Sequence, residues 1–183
     1  MAQKNNYQLL VEKLDQFIRK FYVNKLIRGG LYSLGLILLL FVSMNVLEYY
    51  YYFNSGIRKL LFFSFIGVSV AALSYWVFWP LAQYFRLGSI ISREQAATII
   101  GQHFTDVKDK LLNILQLKDQ ADQTSNRDLI LASINQKSEE IKIVPFKKAI
   151  DLSQNRKYLK YALPPLLLLL IILFAAPSII KDG

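Results

Sequence analysis

Residues 161–180 read YALPPLLLLLIILFAAPSII, twenty positions without one charged side chain. A bilayer core of about 30 Å needs about 20 helical residues at roughly 1.5 Å each, so this stretch is long enough to cross one. Two more uncharged stretches lie upstream, at residues 29–47 and 60–85, and they are 19 and 26 residues long. The expected fold is therefore an all-α membrane protein. Three transmembrane helices carry it, with a small cytoplasmic helical module between the second and the third.

Working outward from residues 161–180, Pro164 and Pro165 fit a first helical turn or a bend, and Pro177 stands near the far end. The first span is Leu-rich and runs into Glu48 and four tyrosines, Tyr49 to Tyr52. An acid at mid-membrane costs about 2.5–3.5 kcal/mol, against about 0.3–0.6 gained per Leu or Ile, so Glu48 belongs at the interface, with the tyrosines as an aromatic belt. The 28 mostly polar residues ahead of this span make a cleaved signal peptide a poor reading of it, and an uncleaved anchor is expected. Along the second span Ser64, Gly67, Ala71 and Ser74 recur at helical spacing, and a small-residue face of this kind predicts close packing against the first span. The expected boundaries are a cytoplasmic amphipathic helix at 1–28, spans at 29–53, 60–85 and 161–180, an external turn at 54–59, the module at 86–160 and an external tail at 181–183.

The net charge is +9, and its placement sets the topology. Residues 1–28 carry six Lys/Arg against two acids, and residues 86–160 carry thirteen against nine. The turn between the first two spans offers only Arg58 and Lys59. By the positive-inside rule the N-terminus and the module face the cytoplasm and the C-terminus faces outward. Nucleic acid is not an expected partner, because topology accounts for the charge and no reading motif is present. The lipid bilayer is.

Residues 5–28 form an amphipathic pattern, with Leu10, Leu14, Phe17 and Phe21 on one side. Two readings stand for that stripe: a membrane-surface helix, or a helix packed on the rest of the protein. In the module, Ser92 and Gln95 make a capping box ahead of Ala96, Ile99, Ile100 and Phe104. A second helix from Thr105 places Val107, Leu111, Ile114 and Leu115 on one face. A third opens on a Ser125/Asp128 box, with Leu131, Ile134 and Ile141 inward and Pro145 as its end. Residues 119–126 read as a loop. So small a module cannot bury all its stripes alone. The face Val107, Leu111, Ile114 and Leu115 is therefore the expected partner-binding surface.

The catalytic inventory is empty. The chain has one histidine, His103, and no cysteine, so no zinc ligand set assembles from sequence, and disulfides and cysteine lipidation are excluded. The acids of the module sit among Lys and Arg as a solvated face. Gly29-Gly30 is followed by no GK[ST] and is not a phosphate loop. No Asp, Glu, Lys, Arg or His stands mid-span, which disfavours a transporter, a pump or an intramembrane enzyme. No catalytic, cofactor-binding or metal-binding residue is assigned, and no cofactor is expected.

Arg93-Glu94-Gln95-Ala96-Ala97, Ile100-Gly101-Gln102-His103-Phe104 and residues 107–113 resemble an uncharacterised family of long bacterial membrane proteins. Val144-Pro145-Phe146 with Ala149-Ile150, and residues 155–162, resemble the same family. Its members carry two N-terminal spans, a short cytoplasmic segment, a third span, and then a long coiled-coil-rich extracytoplasmic part. They are often encoded near MoxR-type ATPases. The resemblance implies an inner-membrane location, partners that include a MoxR-type ATPase system, and a native chain continuing past Gly183; it transfers no catalytic residue. The expected function is a non-catalytic anchor and scaffold of an envelope assembly, with oligomeric state left open. The alternative is a transmembrane signal-transmission module.

Overall fold

Helix α1 (Asn6–Tyr51) runs unbroken through both the amphipathic lead-in and the first apolar stretch. No helix break falls at Gly29-Gly30. Glycine inside a helix costs about 1 kcal/mol relative to Ala, so tertiary contact, described below, overrides the local preference. The structure is a computed structural model that describes residues 6–87, 90–121 and 127–181. Among the described residues there is no strand. The chain forms two compact units, and each is described by itself.

The first unit takes in residues 6–21 of α1 and the described residues 90–151. It contains α4 (Arg93–His103), α5 (Thr105–Ala121) and α6 (Arg127–Glu140), followed by a 3₁₀ turn at Phe146–Ala149. The Ser92/Gln95 capping box forms as expected. The Ser92 hydroxyl also bonds Glu94 and holds its carboxyl below the ordinary range. Between α4 and α5 the helices close tightly, because a Cβ on Gly101 would collide with the Lys108 side chain. The Ser125/Asp128 box and most of the expected 119–126 loop lie outside the described residues.

Leu10, Leu14, Phe17 and Ile18 of α1 are buried here, with Ala96, Ile100, Leu111, Ile114, Ile134, Ile141 and Phe146. Of the two readings of the N-terminal stripe, the packed helix is the one realised. Each such side chain contributes about 1.5–3 kcal/mol on burial. The four from α1 together supply about 6–12 kcal/mol, which is the size of a small domain's whole stability. The module of residues 86–160 is therefore not a self-sufficient domain; the head of α1 is part of its core. Lysines of α1 fix the joint. Lys13 donates to the carbonyls of Lys142 and Val144, just past the end of α6, and Lys20 donates to the Lys147 carbonyl at 2.7 Å. The Val144 and Lys147 carbonyls also accept from the Phe146 and Ile150 N–H groups, so each lysine adds a second donor, and a cation past the end of α6 suits the helix dipole.

The second unit takes in the described residues 22–87 and 152–181. After α1, the turn at Tyr52, Phe53 and Asn54 is tighter than the expected 54–59. Tyr52 adopts φ 44° and its N–H bonds the Glu48 carbonyl at 2.9 Å, a left-handed helix cap made without glycine. Asn54 then caps α2 (Ser55–Leu73) through the Ile57 N–H. At the far end of this arm the helix passes through a π-turn at Ser74–Phe78 into α3 (Trp79–Tyr84). It stops at a Schellman cap in which Arg86 has φ 61° and the Leu87 N–H bonds the Ala82 carbonyl.

A 3₁₀ segment, Leu152–Tyr158, leads into α7 (Leu159–Ala175), and a short α8 (Ser178–Lys181) follows Pro177. The third span is thus not one helix over 161–180: it begins at Leu159 and breaks at Ala176. Three helical arms, Asn6–Tyr51, Ser55–Tyr84 and Phe146–Ala175, are long and apolar enough to cross a membrane. The chain is an all-α protein with membrane-spanning character.

Candidate functional site

The second unit is organised around one stretch of α1, Gly29 to Gly35. A Cβ on Gly29 would overlap the backbone carbonyl of Trp76 in the α2 arm, and a Cβ on Gly35 would overlap the carbonyl of Tyr161 in α7. Both carbonyls share a sequence cause. Pro80 stands four residues after Trp76 and Pro165 four residues after Tyr161, so neither carbonyl can receive the usual i+4 bond. At Trp76 the helix also widens into its π-turn, and the Trp79 N–H bonds the Ser74 carbonyl. Each proline-exposed carbonyl is turned onto a glycine Cα–H, the weak donor that lets two backbones meet in an apolar setting. Pro80 and Pro165 are both buried.

Between the two glycines the Tyr32 ring is the hub. Its centroid lies 5.7 Å from Trp76, 5.3 Å from Tyr158 and 5.3 Å from Tyr161. Rings at these spacings and tilts contribute about 0.5–1.5 kcal/mol each beyond their area. Ser33, buried on the same stretch, donates back to the Gly29 carbonyl at 2.9 Å. Arg28 reaches the Tyr158 hydroxyl at 3.4 Å and its guanidinium lies 5.6 Å from that ring's centroid. One turn earlier, Asn155 donates to Asn24 at 2.6 Å. Beside this hub a recess of about 370 Å³ opens, lined by Lys25, Arg28, Gly29, Tyr32, Tyr75, Trp76, Trp79 and Pro80. Two cations, two tryptophans and two tyrosines line it, and no acid does.

A second feature lies at the other end of the hairpin. Arg58 of α2 bonds Glu48 of α1, whose side chain is 7% exposed. Asn45, Phe41, Phe62 and Phe65 flank the pair around a cavity of about 220 Å³. The interfacial acid read from sequence thus has a specific cation that sequence did not assign.

The expected site residues are placed differently. Ser64, Gly67, Ala71 and Ser74 are all exposed, and no atom stands within 4 Å of a Cβ on Gly67. They are not the contact between the first two spans. That contact uses the opposite face of α2, with Ala72 buried, Phe65 facing Phe41 at 6.4 Å, and Trp76 against Gly29. Bulky side chains, and a proline-exposed carbonyl meeting Gly29 of α1, make the joint in place of the small stripe. The residues of the expected partner-binding face lie in a core. Val107, Leu111, Ile114 and Leu115 are buried in the first unit's own core, between 0% and 7% exposed. The head of α1 helps to close that core.

His103 is exposed at the end of α4, its ring 4.7 Å from Phe104. Among the described residues no three of His, Asp and Glu gather as a metal site would require. Sequence reasoning missed Gly29, Tyr32, Gly35 and Trp76. The available signal was the pairing of a glycine-bearing first span with Pro80 and Pro165 in the other two. No family model matches the chain, no curated protein matches it, and no solved structure matches it.

Proposed function

We propose that the chain is a non-catalytic anchor and scaffold of a bacterial inner-membrane assembly, with its N-terminus and first unit in the cytoplasm. The observation that carries this reading is α1 itself. One unbroken helix supplies four core side chains to the first unit and the central stretch of the second. The same helix thus belongs both to a folded module and to an apolar arm long enough to cross a membrane, which is what an anchor requires. The excess of Lys/Arg in residues 1–28 and 86–160 supports the orientation. The family resemblance supports the envelope setting and a MoxR-type ATPase system among the partners.

With Val107, Leu111, Ile114 and Leu115 withdrawn into the core, the partner surface must lie elsewhere. Leu129 and Ile143, 75% and 90% exposed, are the most open aliphatic side chains of the first unit. Mild solubilisation of the chain at native expression level should co-purify a cytoplasmic partner, and Leu129→Asp with Ile143→Asp should lose it. A chain that purifies alone in several mild detergents ends the scaffold reading.

Signal transmission through the third span is the second reading, and it needs two conformations at Pro164-Pro165. Pro165 is buried beside the Gly35 contact, which favours a fixed joint. Replacing both prolines by Ala separates the readings: partner retained with output lost favours transmission.

A further inference from the structure

We propose that the recess beside Tyr32 binds the headgroup of an anionic phospholipid. Its lining joins three features that such a headgroup needs. The first is charge: Lys25 and Arg28 both line the recess and no Asp or Glu does. The second is a set of polar-tipped aromatic walls, Tyr32, Tyr75, Trp76 and Trp79, the residue types that sit at headgroup level. The third is depth. The uncharged stretch of α1 begins at Gly29, immediately after Arg28, and that of α7 begins at Tyr161. The recess therefore stands where the hydrocarbon core meets the headgroups, whichever way the chain is oriented.

The Arg28 guanidinium is held over the Tyr158 ring and bonded to its hydroxyl, so it is positioned rather than swinging. Lys25 lies one helical turn away, with its ammonium 5.9 Å from the Tyr22 centroid. A phosphodiester can bridge the two cations while its acyl chains run along Tyr75 and Trp79, the open walls of the recess at 74% and 63% exposed. The recess of about 370 Å³ is in the range of small-molecule sites and fits a glycerophosphate head. Basic residues scattered at a membrane surface attract anionic lipid without selecting a place. What distinguishes this site is that two particular cations share a walled recess with the aromatics.

The chain contains two tryptophans, Trp76 and Trp79, and both line the recess, so intrinsic fluorescence reports it directly. Purified protein is reconstituted with phosphatidylglycerol or phosphatidylcholine whose acyl chains are brominated near the headgroup end. Brominated phosphatidylglycerol is expected to quench preferentially, with a relative association constant roughly tenfold above one. In Lys25→Gln/Arg28→Gln the constant should fall to near one, while quenching by phosphatidylcholine stays unchanged, reporting that the tryptophans keep their depth. Lys25→Gln alone should give an intermediate value and covers the case in which the double variant misfolds. Lys160→Gln removes a cation outside the recess and should leave the preference intact. Equal quenching by both lipids overturns the proposal. So does an equal loss of preference in Lys160→Gln, which would mean diffuse charge attraction. Loss of the preference on adding inorganic phosphate at matched ionic strength would assign the recess to a soluble anion instead and overturn the lipid.

Discussion

The carbonyl of Tyr161 lies where a side chain on Gly35 would begin. Pro165, four residues on, is the reason that carbonyl is available. The same device recurs at Gly29, Trp76 and Pro80, so two arms of the second unit dock on α1 through one rule. A proline removes a helix donor, and a glycine lets the exposed carbonyl approach.

Substitution at those glycines tests the rule. Gly29→Ala and Gly35→Ala should each destabilise the folded protein by about 1–3 kcal/mol, the usual cost of overpacking. Gly67→Ala should be neutral or stabilising, since it meets open space and Ala is the better helix former by about 1 kcal/mol. Unfolding in mixed detergent–dodecyl sulfate micelles, followed by circular dichroism, measures the order. Equal losses at Gly35 and Gly67 would return the small-residue face to the interface.

The proline half of the device predicts coupling. Pro165→Ala restores an N–H for the Tyr161 carbonyl, which then has less need of Gly35. A double-mutant cycle of Gly35→Ala and Pro165→Ala should show an interaction energy above about 0.5 kcal/mol. Strict additivity would mean that the carbonyl and the glycine do not depend on each other.

Leu111→Asp should unfold the first unit, not release a partner from an intact surface. Leu111 is 0% exposed, and burying a carboxylate among aliphatic side chains is among the mutations that cost more than about 4 kcal/mol. Limited proteolysis should cut the first unit in Leu111→Asp and spare it in Leu129→Asp, where the side chain is open. Protection of both variants would mean that the core closes less tightly than its burial implies.

The ion pair at the hairpin predicts an asymmetry. Arg58→Ala leaves Glu48 buried without its cation, whereas Glu48→Gln leaves only an exposed arginine. Because the Arg58 side chain is 62% exposed, the loss should be below the 3–5 kcal/mol of a fully buried pair, on the order of 1–2 kcal/mol. Arg58→Ala should therefore lower the unfolding midpoint more than Glu48→Gln. The reverse order would place the stabilising contact elsewhere.

The topology is open to chemical labelling, helped by a chain without cysteine. Single cysteines at Ser55, in the turn region, and at Gln102, exposed on α4, should react oppositely with an impermeant thiol reagent in intact cells. Ser55→Cys should label and Gln102→Cys should not. Labelling of the second in intact cells inverts the orientation.

The sequence by itself determined the helical class, the three apolar arms, the capping box at Ser92 and the amphipathic stripe of Leu10, Leu14, Phe17 and Phe21, though not what covers it. These follow from run length, local capping chemistry and 3.6-residue periodicity, all of which act within one segment. Only the tertiary structure decided that α1 continues through Gly29-Gly30, that the α5 stripe is core, and that the small face of α2 points away from its neighbour. Each of those depends on which segment meets which. An apolar stripe states that a face will be covered but not by what, and a stripe of small residues reads the same whether a helix or lipid lies against it. The docking of α1 was further hidden because its parts are split between chains of contact: a glycine in one helix, and in another a proline acting on a carbonyl four residues before it. No local pattern contains both halves.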